Sequence, residues 1–379
     1  DSAKEEAIDT ILSVAALKAE GQVQKILVTG CLTQRYQQEI LTELPEVDGI
    51  MGTGSYSEVV SVVEAVLAGD KPTRRGAISA PLYDTPRAVS TGPNWAYLRI
   101  AEGCDNRCAY CVIPSLRGKF RSRTKESILE EARLLAASGV KELIIVAQDI
   151  TRYGIDLYGK VCLTELLKEL CKLDFRWVRL HYLYPELIDD ELIDEIASED
   201  KIVKYLDIPI QHINDTILRR MNRRGTGEEI RALFKKLRER IPGLVLRTSL
   251  ITGLPGEGEA EFEELCDFLR EAKIERAGVF PYSPEEGTPA ALMPDRCSTE
   301  EAQRRAELCM EIQAEIMDGF AETFIGRELD VLVMGKEPDG TPWGRSEYDS
   351  PDIDSRVIFS GGAAPGLSLI HISEPTRPE

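Results

Sequence analysis

A strand–loop–helix pattern repeated six times is the feature that most constrains the fold of this 379-residue chain. Between Trp95 and about Tyr282, short apolar runs alternate with amphipathic helical segments. The pattern predicts an α/β fold built on a partial parallel (β/α)6 barrel, whose chemistry should lie on the loops that follow the strands. The predicted strands are Tyr97–Ala101, Leu143–Ala147, Trp177–Tyr182, Tyr205–Ile210, Val245–Ile251 and Gly278–Tyr282.

Smaller segments flank this barrel. The first seventy residues predict an α/β domain that lacks its beginning, because an open parallel sheet does not normally start with a helix. The short strands near the C-terminus are too few to close a small β-barrel, and the final residues do not continue their pattern. The predicted order is an N-terminal domain (1–75), a linker (76–94), the barrel core (95–298), a connecting helix (299–320), an incomplete β module (321–366) and a non-native tail (367–379).

Composition indicates the cellular setting. No run of eighteen apolar residues occurs. The N-terminus is acidic, whereas a secretory signal would have a basic region followed by an apolar one. Both observations predict a cytoplasmic protein with no membrane partner. Nine cysteines in such a chain indicate metal or catalytic use rather than disulfides. The net charge of −19 disfavours a nucleic-acid partner and favours a basic protein.

Three of the cysteines are clustered directly after the first predicted strand. Cys104, Cys108 and Cys111 have the spacing C-x3-C-x2-C, and three thiolates can hold three irons of a [4Fe-4S] cluster while the fourth iron stays open to another ligand. A zinc site would need a fourth ligand, yet the next cysteine is Cys162, and the Cys-Pro ending of two-cluster ferredoxins is absent. Zinc binding and inert packing remain the alternatives.

This spacing, at this place in a β/α pattern, resembles that of radical S-adenosylmethionine (SAM) enzymes. The resemblance implies that SAM occupies the open iron and that an electron from the cluster cleaves it to a 5′-deoxyadenosyl radical. It also implies that four residues contact SAM, for which packing in the barrel or its loops is the alternative. They are Tyr110, between two of the cysteines, Gln148 and Gln211, after predicted strands, and Arg247, on the fifth strand.

Residues 28–36, with the sequence Val-Thr-Gly-Cys-Leu-Thr-Gln-Arg-Tyr, resemble a motif in the N-terminal domain of the methylthiotransferase family of radical SAM enzymes. In that family three cysteines of this domain hold a second [4Fe-4S] cluster. The resemblance makes Cys31 one of those ligands, with packing again as the alternative. Because no other cysteine precedes Cys31, the second cluster is expected only in the full-length protein.

The family has two branches, which modify either an adenosine of tRNA or an aspartate of ribosomal small-subunit protein twelve (uS12). Residues 318–356 contain ten acidic and four basic residues, which suits a basic ribosomal protein and predicts no direct tRNA substrate. A solvated acidic surface is the alternative. Segments that resemble the uS12 branch are Ile113–Gly118, Arg179–Pro185, Tyr282–Thr288 and, within a β module similar to a TRAM domain, Arg345–Asp354.

The reaction that this resemblance implies uses two SAM molecules. One methylates a sulfur associated with the second cluster, and the other yields the radical that abstracts hydrogen from the aspartate β-carbon. Such a C–H bond is not acidic enough for ordinary side-chain bases, so no catalytic residue is assigned beyond the cluster. An electron donor such as flavodoxin or ferredoxin is expected as a partner. The competing hypotheses are a tRNA adenosine methylthiotransferase and a non-catalytic iron-sulfur protein.

Overall fold

A computed structural model of the chain describes residues 2–80, 87–361 and 366–372. Tertiary packing divides the chain into two compact units. The sequence assigned residues 102–121 and 283–291 to the barrel core, whereas in the structure both segments pack with the N-terminal residues. The N-terminal unit consists of Asp1–Pro86, Glu102–Arg121 and Ser283–Ala291, and the barrel unit of Arg87–Ala101, Ser122–Tyr282 and Leu292–Glu379.

The described residues form thirteen α-helices, and none of these helices combines the length and apolar character needed to cross a membrane. The helices are α1 (Ser2–Ala19), α2 (Cys31–Arg35), α3 (Gln37–Glu43), α4 (Val59–Ala68), α5 (Ile113–Arg117), α6 (Lys125–Ala137), α7 (Ile155–Tyr158), α8 (Leu163–Leu170), α9 (Asp190–Ser198), α10 (Asp215–Arg220), α11 (Gly227–Arg240), α12 (Glu259–Ala272) and α13 (Thr299–Glu322).

The described residues also form fifteen strands, which are arranged in four sheets. The strands are β1 (Leu27–Thr29), β2 (Gly49–Gly54), β3 (Thr73–Gly76), β4 (Trp95–Arg99), β5 (Ala101–Glu102), β6 (Arg121–Ser122), β7 (Glu142–Val146), β8 (Trp177–Leu180), β9 (Ile202–Asp207), β10 (Val245–Thr252), β11 (Arg276–Pro281), β12 (Glu328–Lys336), β13 (Pro342–Ser346), β14 (Val357–Ile358) and β15 (Gly366–His371).

The barrel unit is built on a six-stranded parallel sheet in the order β11-β10-β9-β8-β7-β4, with β4 and β11 as its edges. Its strands are buried almost throughout, as in β7, because the helices that connect parallel strands cover the faces of the sheet. All six predicted strands are present, with ends shifted by at most three residues. The predicted α/β fold with a partial parallel barrel is therefore confirmed.

The N-terminal unit contains a three-stranded parallel sheet in the order β1-β2-β3. The helix with which the sequence pattern begins is present as α1, and β1 follows it. A small hydrophobic core holds them together through Ile11, Ile26, Ile40, Val47 and Ile50. This unit is an α/β domain, as the alternating sequence pattern indicated.

The C-terminal β module forms a four-stranded sheet in the order β14-β13-β12-β15. We expected the strand pattern to stop at residue 366, but Gly366–His371 form β15 and pair antiparallel with β12, from Val333↔Gly366 to Glu328↔His371. The reason is that β12 would otherwise leave one row of backbone hydrogen-bonding groups unpaired at the edge of the sheet. Residues 373–379, the rest of the predicted tail, lie outside the described residues.

Candidate functional site

The three clustered cysteines, called the loop cysteines below (Cys104, Cys108 and Cys111), lie in the N-terminal unit on the loop that follows β5. Cys104 and Cys108 are buried and Cys111 is half-buried. The loop turns tightly between the last two, where the Cys111 backbone N–H donates to the Cys108 carbonyl oxygen at 3.1 Å. The spacing in sequence therefore places three thiols on one short, closely folded loop.

The chemistry of these donors fits an iron-sulfur cluster. Within the described ranges, no group of three or more His, Cys, Asp or Glu side chains is gathered closely enough to hold a metal ion. The fit therefore depends on the donor set, because three cysteine thiolates are the ligands of a [4Fe-4S] cubane that keeps one iron open. The loop cysteines are the residues that would hold such a cluster.

Gly103 fixes the shape of the loop, although sequence patterns gave it no role. Its φ is +79°, a left-handed conformation, and a Cβ atom at this position would lie 2.2 Å from the backbone oxygen of Lys119. The next residue, Cys104, donates its backbone N–H to the Gly118 carbonyl oxygen at 3.1 Å. Only glycine fits such a close approach of two backbones. A glycine directly before the first loop cysteine was the available signal.

Arg117 links the cysteine loop to Cys31 within the N-terminal unit. Its Nη1 donates to Glu102 Oε1 at 2.9 Å, one residue before Gly103. Against the effect of burial, hydrogen bonding and charge from Glu102 and Cys31 raise the pKa of Arg117. Cys31 is the first residue of α2, directly after β1, and is half-buried. One guanidinium thus interacts electrostatically with both the predicted second-cluster ligand and the residue that leads into the loop.

Two of the predicted SAM-contacting residues lie just beyond strands of the barrel sheet. Gln148 follows β7, and its Oε1 atom is buried without a hydrogen-bond partner among the described residues, so it can accept from a bound ligand. Gln211 follows β9 with φ at +71°, a conformation that non-glycine residues rarely adopt. Its backbone is held by Ser249 and Ile251, each through a hydrogen bond of 2.9 Å. Strained backbone of this kind is common at ligand sites.

The other two predicted contacts have different surroundings. Arg247 Nη1 lies 2.7 Å from Asp207 Oδ1, so this guanidinium is already paired with a buried carboxylate. Burial raises the pKa of Asp207 and Arg247 opposes that rise. Tyr110 is half-buried and lies on the cysteine loop, in the N-terminal unit. Gln148, Gln211 and Arg247 therefore share one unit, and Tyr110 shares the other with the loop cysteines.

The segment Arg345–Asp354, called the acidic segment below, packs against the barrel sheet inside the barrel unit. Arg345 forms an ion pair with Glu142, whose other carboxylate oxygen accepts from Arg179 Nε at 2.7 Å. Glu142 and Arg179 side chains are fully buried. Against the effect of burial, Arg345 and Arg179 lower the pKa of Glu142, so this carboxylate is charged between two guanidiniums.

Two carboxylates of the acidic segment are also paired internally. Asp349 is 4% exposed, and its Oδ1 lies 2.8 Å from Arg276 Nη2. Asp354 accepts a hydrogen bond of 2.6 Å from the Tyr205 hydroxyl. These two carboxylates are therefore not part of a free acidic surface. A count of charges along the sequence does not show which of them meet arginines from distant strands.

His181 completes this buried polar network. Its Nε2 lies 3.0 Å from the Ser350 hydroxyl of the acidic segment. Burial, together with Arg179 and Arg247, lowers the pKa of His181 to about 3. The imidazole is therefore neutral at physiological pH, and its place is structural.

Comparisons with known proteins agree with this geometry. Family models match residues 98–269 (radical SAM superfamily), 1–52 (uncharacterized protein family UPF0004) and 325–372 (TRAM domain). A "Ribosomal protein uS12 methylthiotransferase RimO" from Pelotomaculum thermopropionicum is 51% identical over 367 residues, which cover 96% of this chain and 82% of that protein. This chain belongs to the uS12 methylthiotransferase family. The predicted family and radical SAM enzyme class are thereby confirmed.

Other relatives are consistent with this assignment. The protein of the same name from Lachnoclostridium phytofermentans is 49% identical, with 94% of this chain and 82% of that protein covered. Among solved structures, the radical SAM methyltransferase TsrM from Kitasatospora setae matches with a TM-score of 0.56 and 16% identity, over 71% of this chain and 59% of that one. At that identity the likeness shows the fold alone. The TRAM match ends at residue 372, in agreement with the presence of β15.

Proposed function

We propose that this chain is the catalytic part of an enzyme that adds a methylthio group to the β-carbon of an aspartate of uS12. The observation that carries the proposal is the 51% identity to a uS12 methylthiotransferase over 96% of the chain. That identity extends through the acidic C-terminal module, which disfavours the tRNA branch because a polyanion would be repelled there. The cysteine loop and the radical SAM match disfavour a non-catalytic iron-sulfur protein.

The loop cysteines would hold the [4Fe-4S] cluster that radical SAM enzymes use together with SAM. When bound, the cluster supplies the electron that cleaves SAM. Gln148, whose buried Oε1 atom has no hydrogen-bond partner among the described residues, would accept a hydrogen bond from the ligand, and the fixed backbone of Gln211 would form part of the same pocket. Tyr110 would pack against the adenine. Arg247 would act through its pair with Asp207, which holds both side chains in one position.

Cys31 would be one ligand of a second [4Fe-4S] cluster, with its other cysteines supplied by residues outside this sequence. Arg117 supports this role because its guanidinium, whose pKa Glu102 and Cys31 raise against the effect of burial, brings a positive charge close to the proposed ligand. A flavodoxin or ferredoxin would deliver electrons. With a ribosomal substrate, the reaction would take place in the cytoplasm.

The test offers uS12 and tRNA separately to the protein made from its complete reading frame, with SAM and dithionite under anaerobic conditions. Mass spectrometry should detect a methylthio group on an aspartate of uS12, and nucleoside analysis should detect no new modified adenosine. Modified adenosine with unmodified uS12 would instead assign the enzyme to the tRNA branch.

A further inference from the structure

A cavity of about 680 Å³ lies within the barrel unit, between β10 and β11, helix α13 and the C-terminal module. Its apolar wall includes Ile353 and Ile358, which are 52% and 51% exposed. Methionine side chains adapt to differently shaped ligands, and an aromatic ring adds a flat apolar surface. The other apolar side chains of this wall are Met310, Met317, Met334 and Trp343.

The arginines that line the cavity are all paired with carboxylates. Each of the four forms an ion pair with a carboxylate: Arg247 with Asp207, Arg276 with Asp349, Arg345 with Glu142 and Arg356 with Glu337. Two further carboxylates of the lining, Asp318 and Asp352, are exposed and form no ion pair with any residue that the structure describes. The charge that remains for a ligand is therefore negative.

One buried hydrogen-bond donor of a residue that lines this cavity also has no partner. The Nε atom of Arg345 is buried and has no hydrogen-bond partner in the described part of the chain, whereas the Nε atom of Arg276 lies 3.7 Å from Asp354 Oδ1, within ion-pair distance. Arg276 is 6% exposed and Arg345 is 2% exposed. A buried donor without a partner is costly unless an acceptor occupies the site. Main-chain carbonyl oxygens of a bound peptide are suitable acceptors.

We propose that this cavity binds an extended basic segment of uS12, an inference that rests on the proposed function. A peptide would offer a carbonyl oxygen to the Arg345 Nε atom and apolar groups to the wall. Its lysine or arginine side chains would meet Asp318 and Asp352. A nucleic acid would place phosphates beside these carboxylates and be repelled. Electrostatic complementarity of this kind selects a basic partner and speeds its association.

The test measures the affinity of fluorescently labelled uS12 for this 379-residue chain by anisotropy, at low and at high salt. The charge variant is Asp318→Asn/Asp352→Asn. Asparagine tolerates the left-handed conformation of Asp352, whose φ is +66°. The matched control, Glu228→Gln/Glu263→Gln, removes the same charge from exposed positions outside the lining. A third variant, Ala314→Trp, fills the cavity from an exposed position of α13.

The charge variant should bind uS12 about 5-fold more weakly at low salt, and the difference should shrink as salt rises. The control should bind within about 2-fold of the unsubstituted chain, because distant surface charges are largely screened. Ala314→Trp should weaken binding at least about 10-fold at either salt concentration, because it removes the space for the peptide. Thermal unfolding of each variant shows that it is folded.

Binding of uS12 that is equal in all variants, or undetectable with the unsubstituted chain, would overturn the cavity assignment. If the control variant lost as much affinity for uS12 as the charge variant, the assignment would also be overturned. Net charge, and not this cavity, would then attract uS12. The proposed function is judged separately by the methylthiolated product of the complete enzyme. If the complete enzyme modifies uS12 but the cavity variants bind it normally, the proposed function holds and the cavity proposal fails.

Discussion

Replacing Glu142 by glutamine should strongly destabilise the barrel unit. The fully buried carboxylate of Glu142 pairs with Arg179 at 2.7 Å and with Arg345, which comes from the C-terminal module. Removing one partner of a buried ion pair leaves an uncompensated charge, at a cost of about 3–5 kcal/mol. At roughly 2–4 °C per kcal/mol, the thermal midpoint of a unit of this size should fall by about 6–20 °C.

The assay is anaerobic calorimetry of the unsubstituted chain, Glu142→Gln, Arg345→Gln and the double variant. Because the two residues are in contact, the double variant should lose less stability than the sum of the single variants, by at least about 1 kcal/mol. Glu165→Gln provides the control, since Glu165 is 49% exposed and pairs only with the exposed Lys160 among the described residues. Its thermal midpoint should stay close to that of the unsubstituted chain.

The contribution of Glu142 to stability should depend on pH in a definite direction. The pKa of Glu142 is lower in the folded chain than its ordinary value of 4.5. A carboxylate of this kind contributes stability above that ordinary value and loses the contribution as the pH falls through the lowered folded value. The difference in thermal midpoint between the unsubstituted chain and Glu142→Gln should therefore become smaller in acid. A midpoint shift below about 2 °C at neutral pH, or strictly additive single variants, would refute the role of this network.

Three further predictions concern the loop cysteines, Gly103 and His181. Alanine at any one of the loop cysteines should lower the iron content of the reconstituted protein far below about four irons per chain, which is the content of one cubane. An iron assay measures this loss. The same variants should no longer cleave SAM. Gly103→Ala should also lose iron because its Cβ would meet the Lys119 carbonyl oxygen, whereas Gly21→Ala, with φ +77° but no atom within 4 Å, should retain it. The pKa of His181 is about 3 in the folded chain and 6.5 in the unfolded chain, so between these values only the unfolded chain binds the proton. Stability should therefore fall as the pH drops from 6.5 towards 3. His181→Gln should flatten that part of the calorimetric profile.

Local sequence patterns determined much of the fold and the centre of the site. Parallel strands buried on both faces form continuous apolar runs, so all six barrel strands could be found from runs such as Leu143–Ala147. The C-x3-C-x2-C spacing likewise indicated the cysteine loop, because its donor set lies within eight consecutive residues. Features that depend on near neighbours in the chain were therefore accessible from the sequence by itself.

Only the tertiary structure decided the features that join distant residues. Glu142 and Arg345 are 203 positions apart, and no local pattern shows that they form a buried pair. The same holds for Asp349 and Asp354, which looked like free surface acids until the fold placed them against Arg276 and Tyr205. Pairing of charges depends on the positions of strands in space and on the exclusion of water between them. The sequence determined which charges this protein carries, and the tertiary structure decided which of them remain for a partner.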